Sequence, residues 1–229
     1  FGSGAVQEMH RRWFESHLKD FNVVYKNRSD DFHGLALSGP KSRELLQKLV
    51  RENISNENFK FRDVKEMYVA GVPAIVNRIS FTGELGYEIY VAPQFLLKLF
   101  EEMELVGKEF GLKPFGGRAL MSMRLEKNWG AWTLDYRPDF TAKESSLDVF
   151  INWNKEFIGK ESAKKDNSSL KLTPLIVETD DIDVCNNEAV MKDGKSIGYV
   201  TSGGFAHYVN KSIAFSYLDK NILNSDKKI

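Results

Sequence analysis

Cysteine is almost absent from this chain, Cys185 being the only one in 229 residues. A lone cysteine makes no internal disulfide and no cysteine-built metal site, which fits a reducing compartment and assigns Cys185 to an inert loop position. Net charge is missing as well: 32 Lys and Arg balance 32 Asp and Glu. No overall field draws the protein to nucleic acid or to an anionic membrane, so an anionic ligand has to be caught locally. Long apolar runs are lacking too, because "FLLKLF" at residues 95–100 is already broken by Lys98 and a membrane span needs roughly 20 apolar residues. A soluble protein is expected. Histidine is scarce: His10 and His17 return to one helical face without a third ligand, and His33 and His207 have no Cys or Asp at ligand spacing, so no metal is expected. There is no opening methionine or signal peptide, and "NSDKKI" ends the chain without a closing strand; both ends read as cut from something longer.

What is present is an ordinary globular composition, 42% apolar and 12% aromatic, enough for one large domain or a domain with a smaller module. "VQEMHRRWFESHL" spaces Val6, Met9, Trp13, Phe14 and Leu18 on one helical face, and the β-type runs "FNVVYK" and "GLALSG" follow. Pro40 is placed in the first turn of a helix over "KSRELLQKLV", and the order predicted is helix, strand, strand, helix. "VKEMYVAGVPAIVNRISF" reads as a hairpin turning at Ala70 and Gly71. A helix follows, with Phe95, Leu96, Leu99, Phe100, Met103, Val106 and Phe110 on one stripe and Gly111 as its stop. "GRALMSMRLEK" predicts a short helix buried on Leu120, Met121 and Met123. The polar run at residues 164–171 is the linker candidate, and beyond it the pattern turns to β, with Asp193 and Gly194 as a hairpin signal. The boundary is placed near residue 168, giving domains 1–167 and 168–229. Trp129, Trp132 and Trp153 lack the basic interleaving of a nucleic-acid platform and are expected to close the core.

One stretch is costly for a strand. "SFTGELGYEIYV", residues 80–91, holds Gly83 and Gly86, each of which loses backbone entropy and packs nothing. On one straight strand Glu84 and Glu88 share a face about 13 Å apart, too far to share a proton. If Gly83 and Gly86 frame a turn, Glu84 rides its tip and Glu88 points from the returning strand. Either way the two act separately. A carboxylate held in a sheet suits a ligand edge with two adjacent N–H donors, since charge-assisted pairs are roughly twice as strong as neutral ones; otherwise both are solvated surface charges.

"FTGELGYEIYV", then "FGGRALMSMRLEKNWGAW", "EFIGKES" and "DGKSIGYVTSGGFAHYVNKSIAFSYL", resemble the glycine cleavage T protein (aminomethyltransferase) superfamily. "RLEKNWGAW" is closer to the C-terminal halves of dimethylglycine and sarcosine dehydrogenases. The resemblance runs from about "LALSGPKSRELL" to the end. It implies an α+β fold, in which part of a folate-binding domain built of ferredoxin-like α/β units precedes a small antiparallel β-barrel.

The resemblance also implies a tetrahydrofolate site. Glu88, with Glu84 second, would hold the pterin edge. Arg118 in "GGRAL" would meet the acidic end of folate, with Arg124 as the competing candidate. Tyr87 either lines the site or packs. The family aspartate that assists the reacting folate nitrogen, and the FAD domain of the dehydrogenases, belong upstream of Phe1, so the fragment alone is expected to be inactive. For the parent, the implied reaction oxidises an N-methyl amine such as dimethylglycine or sarcosine and passes the carbon to folate as 5,10-methylenetetrahydrofolate. The remaining readings are a free-standing aminomethyltransferase, a folate-dependent demethylase and a non-catalytic folate-binding module. The implied partners are folate, the amine and a flavoprotein domain or subunit. The implied location is cytoplasmic, or the mitochondrial matrix in a eukaryote. Lys143 and Ser146 stand where this family usually has proline and glycine.

Overall fold

A computed structural model describes residues 4–225, which divide into a unit ending at Gly116 and a unit beginning at Gly117. In the first unit, helix α1 (Gln7–His17) forms as the spacing predicts, stiffened by Arg11 pairing with Glu8 and Glu15 at 2.9 and 2.8 Å, yet none of its residues is buried. The run at residues 21–26 is exposed irregular chain rather than the expected strand. β-branched residues form a strand only against a partner ladder, and no described strand pairs with this run. The expected helix, strand, strand, helix therefore becomes α1, strand β1 (His33–Ser38) and helix α2 (Ser42–Leu49). Pro40 lies just ahead of the cap residue Lys41, not inside the first turn.

Strands β2 (Val64–Val69) and β3 (Val72–Asn77) form the expected hairpin, and Ala70 and Gly71 both adopt positive φ, 51° and 77°, which matches the strands' right-handed twist. Strand β4 (Gly86–Val91) then inserts between β1 and β3, giving the antiparallel order β1-β4-β3-β2. Helix α3 (Leu96–Gly107) is followed by a single 3-10 turn that ends at Gly111 with φ 72°. Leu99 and Met103 are buried, and Leu96, Val106 and Phe110 pack beside them, but Phe95 and Phe100 stay exposed; Phe100 stands about 100° round the helix from Leu99, outside the apolar stripe. The core joins Leu37, Val76, Tyr87, Ile89 and Val91 of the sheet to Leu45, Leu46 and Leu49 of α2 and to α3.

The second unit contains helices α4 (Gly117–Glu126) and α5 (Lys160–Lys164), strands β5 (Leu170–Val177), β6 (Ala189–Lys192), β7 (Lys195–Ala206) and β8 (Lys211–Asp219), and helix α6 (Lys220–Ser225). The strands make one antiparallel sheet in the order β5-β8-β7-β6. Asp193 and Gly194, at φ 49° and 72°, turn the β6–β7 hairpin as expected. Helix α4 departs from its expected face: Leu120, Met121 and Met123 are half-buried, while Arg124 and Leu125 are buried. Arg124 is 1% exposed and Asp135 0%. Trp129, Trp132 and Trp153 remain exposed instead of closing the core. Among the described residues no helix is long and apolar enough to cross a membrane.

Arg124 explains the shift of α4, because a buried guanidinium needs a counter-charge and partners for its donors. Its Nη1 donates to Asp135 Oδ2 at 2.6 Å and to the Trp129 carbonyl at 2.9 Å, and its Nη2 donates to Ser202 Oγ at 2.6 Å. Asp135 also accepts from the Ala131 N–H, from Ser202 Oγ and from Thr201 Oγ1. Tyr217 donates to the Asp135 carbonyl at 2.8 Å, and burial pushes its phenol up to about 12, so it keeps the proton it donates. Arg124→Met leaves the Asp135 carboxylate buried without its cation and is expected to cost about 3–5 kcal/mol, read from the urea midpoint; a loss under about 1 kcal/mol would show that the network adds little stability.

The loop before α5 opens with a reciprocal cap, Thr141 N–H donating to Glu144 Oε2 at 2.7 Å and Glu144 N–H to Thr141 Oγ1 at 3.1 Å. It closes at Ser146, whose φ of 59° is left-handed. The left-handed position is held by a serine, which carries a Cβ penalty that glycine would not. Ser146→Gly is expected to stabilise the protein by about 0.5–1 kcal/mol, again read from the urea midpoint, and an unchanged or lower midpoint would show the turn to be unstrained.

Candidate functional site

The two glycines of the costly stretch have separate reasons. Gly83 has φ 71° in the turn over residues 81–85, a conformation that side-chain-bearing residues rarely adopt. Gly86 opens β4 where a Cβ would stand 2.7 Å from Ser80 Cβ and 2.9 Å from the Leu37 carbonyl oxygen. The turn is tied down by Gly39 N–H and Ser42 Oγ, which donate to the Leu85 carbonyl at 2.8 and 3.0 Å. Of the two geometries open to the sequence, the turn is the one formed: Glu84 sits on it, exposed, and Glu88 projects from the returning strand.

Strand alternation sends Tyr87, Ile89 and Val91 into the core and leaves Glu88 and Tyr90 on the opposite face, both half-buried. The register places Glu88 between Ala36 on β1 and Asn77 on β3, and Tyr90 between Gly34 and Ile75. Tyr90 donates its hydroxyl to Glu88 Oε2 at 2.7 Å. Burial first, then that bond and the Glu88 charge, push the Tyr90 phenol well above its ordinary range, so it stays protonated and acts as a donor. A Cβ on Gly34 would stand 2.9 Å from two carbons of the Tyr90 ring; glycine makes room for the ring that steadies the carboxylate. Among the described residues the Glu88 carboxylate has no further hydrogen-bond partner, so Oε1 and the remaining lone pair of Oε2 can accept from a ligand.

Asn77 carries a second signal on the same face. It is 8% exposed, and among the described residues its buried Oδ1 has no hydrogen-bond partner, which is rare for a buried polar atom.

Tyr87 is 0% exposed. Its ring stacks on Phe59 with centroids 5.8 Å apart, and its hydroxyl accepts from Arg43 Nε at 3.2 Å. The structure therefore places Tyr87 in the packing, on the other face of the sheet from Glu88. Arg118 lies in the first turn of α4, exposed, and among the described residues it makes no side-chain hydrogen bond or ion pair. Arg124, the competing arginine, is the buried strut described above. Glu88 and Arg118 thus belong to different units. A cavity of about 430 Å³ in the second unit is lined by Thr141, Ile151, Trp153 and Asp166 among others, and by none of Glu84, Tyr87, Glu88 or Arg118. Among the described residues no group of His, Cys, Asp and Glu is arranged to hold a metal ion.

Sequence reasoning missed Tyr90, Gly34 and Asn77. Period-two spacing puts Tyr90 beside Glu88 and could have found it. Gly34 and Asn77 become visible only through pairing across strands, which short sequence patterns do not carry.

Comparison with known proteins supplies the context. The GCVT N-terminal domain family matches residues 2–155, and the glycine cleavage T-protein C-terminal barrel domain family matches residues 171–229. The human mitochondrial dimethylglycine dehydrogenase is 36% identical over 224 residues, covering 94% of this chain and 26% of that protein. An aminomethyltransferase of Desulfitobacterium hafniense is 34% identical over 210 residues, covering 90% of this chain and 57% of that protein. The crystal structure of the glycine cleavage system aminomethyltransferase T from Bartonella henselae shares the fold, with a TM-score of 0.80 at 21% identity over 94% of this chain and 59% of that one. The chain thus spans about a quarter of the dehydrogenase and somewhat over half of the aminomethyltransferases. The resemblance drawn from "FTGELGYEIYV" and the motifs after it is borne out, as is the α+β class, and with both domain matches in hand this chain belongs to the glycine cleavage T protein family.

Proposed function

We propose that this chain is the tetrahydrofolate-binding, one-carbon-transfer region of a flavin-dependent N-methyl amine dehydrogenase, with Glu88 as the pterin anchor. The observation that carries the reading is the half-buried Glu88 carboxylate, steadied by Tyr90 and flanked on β1 by the small residues Gly34 and Ala36. A reduced pterin presents ring and amino N–H groups side by side, and a carboxylate with free lone pairs accepts both. The residues present fit that group. Within the first unit Glu84 is the second carboxylate, and Tyr87 supports β4 from the core; Arg118, in the second unit, is proposed for a carboxylate contact on the motif resemblance alone, a guanidinium fork being suited to carboxylates.

Bound tetrahydrofolate supplies the nucleophilic nitrogen that takes up the one-carbon unit as methylenetetrahydrofolate. This chain's residues hold that nitrogen in position, an effect worth up to roughly 7–11 kcal/mol in ideal intramolecular cases. Similarity to dimethylglycine dehydrogenase supports an FAD domain or subunit as partner and dimethylglycine or sarcosine as the amine, in a mitochondrial matrix or bacterial cytoplasm. Similarity to aminomethyltransferases supports the second reading, a transferase without flavin. The boundary between a folate-binding domain and a smaller C-terminal domain is proposed near residue 168, on the polar run at residues 164–171.

The test is a titration of the full-length protein with tetrahydrofolate. Glu88→Ala is expected to weaken binding by about 30- to 100-fold, the loss of a hydrogen-bonded charge, and amine oxidation should continue with the carbon released as formaldehyde. Unchanged affinity would remove Glu88 from the site. Tyr90→Phe is expected to weaken binding about 5-fold, and Gly34→Ala should act in the same direction by displacing the Tyr90 ring. Wild-type affinity in both would show that Glu88 needs no such support.

A further inference from the structure

Buried amide oxygens are nearly always satisfied, so an orphan beside a ligand-binding carboxylate calls for a donor. Asn77 Oδ1 is such an atom. Asn77 is the registered partner of Glu88 across the β3–β4 ladder, which puts the two Cβ atoms about 5 Å apart on one face. Val76 on one side of it points into the core, so alternation along β3 directs Asn77 to the Glu88 face.

Resting on the pterin reading of Glu88, a count of hydrogens identifies the missing donor. The pterin edge carries three N–H bonds side by side, one on the ring nitrogen and two on the 2-amino group. A bidentate carboxylate takes the ring N–H and one amino hydrogen, and the second amino hydrogen then points past the carboxylate and lacks an acceptor. We propose that Asn77 Oδ1 accepts this second 2-amino hydrogen, making Asn77 the residue that reads an unsubstituted 2-amino group and excludes N2-alkylated pterins.

The test compares tetrahydrofolate with its N2-methyl derivative, which keeps the ring N–H and one amino hydrogen for Glu88 and replaces only the hydrogen assigned to Asn77. The full-length wild-type protein should prefer tetrahydrofolate at least 10-fold. Asn77→Ala, which removes the acceptor and opens space for the methyl group, should narrow the preference to 2-fold or less, chiefly by tightening the methylated ligand. Should Asn77→Ala fold poorly, Asn77→Leu keeps the buried volume; it should weaken tetrahydrofolate about 5-fold while leaving a 2-desamino analogue unaffected. A purely structural asparagine would shift affinity for all three ligands alike, and an unaltered preference in either variant overturns the assignment. Absence of tetrahydrofolate binding in the wild type would instead sink the folate reading itself, as would an unchanged affinity in Glu88→Ala.

Discussion

Two-sided pairing of β4 is the constraint on which the candidate site depends. Because β4 is hydrogen-bonded to β1 on one edge and to β3 on the other, a shift of one residue would drive Glu88 into the core and expel Tyr87 and Ile89. The fully buried Tyr87 and Ile89 therefore specify where the carboxylate points. Gly86 belongs to the same constraint, since any side chain there would meet Ser80 and the Leu37 carbonyl and push β4 off β1. The loss of chain entropy at two glycines is offset by a carboxylate that is aimed without being buried.

Around that strand the sheet face is graded by size. Gly34 and Ala36 on β1 leave space, Tyr90 fills part of it and donates to Glu88, and Asn77 and Ile75 on β3 form the far wall. A carboxylate in such a place is partly shielded from water, so its hydrogen bonds are worth more than on an open surface. Tyr87, adjacent in sequence, contributes from below through Phe59 and Arg43.

The second unit solves a different problem. Helix α4, the loop through Asp135 and strands β7 and β8 are joined by one buried charge pair whose remaining lone pairs are taken by Ser202, Thr201 and the Ala131 N–H. Buried pairs of this kind contribute little net stability against an apolar alternative, yet they are costly to break and accept few other arrangements. Arg118 starts the helix that Arg124 anchors near its end, so the candidate folate arginine rides on an element whose seat in its own unit is set by that pair.

Legibility in the sequence tracked how local each feature is. Both I′-type hairpins, at Ala70–Gly71 and Asp193–Gly194, and the left-handed stop at Gly111 are decided by φ preferences of one or two residues and could be read directly. Helices α1, α3 and α4 followed from 3.6-residue spacing, and the family followed from several ordered motifs. The run at residues 21–26 had strand-like residues but no partner among the described strands, the buried side of α4 turned on Arg124 finding Asp135 eleven residues away, and Asn77 and Gly34 acquired meaning only from strands that pair with β4. What the chain alone determined was therefore its turns, its helical periods and the presence of a carboxylate motif. Which side chains stand beside that carboxylate was decided by tertiary structure, because hydrogen-bond ladders and buried charges bring together residues whose separation along the chain carries no signal of their contact.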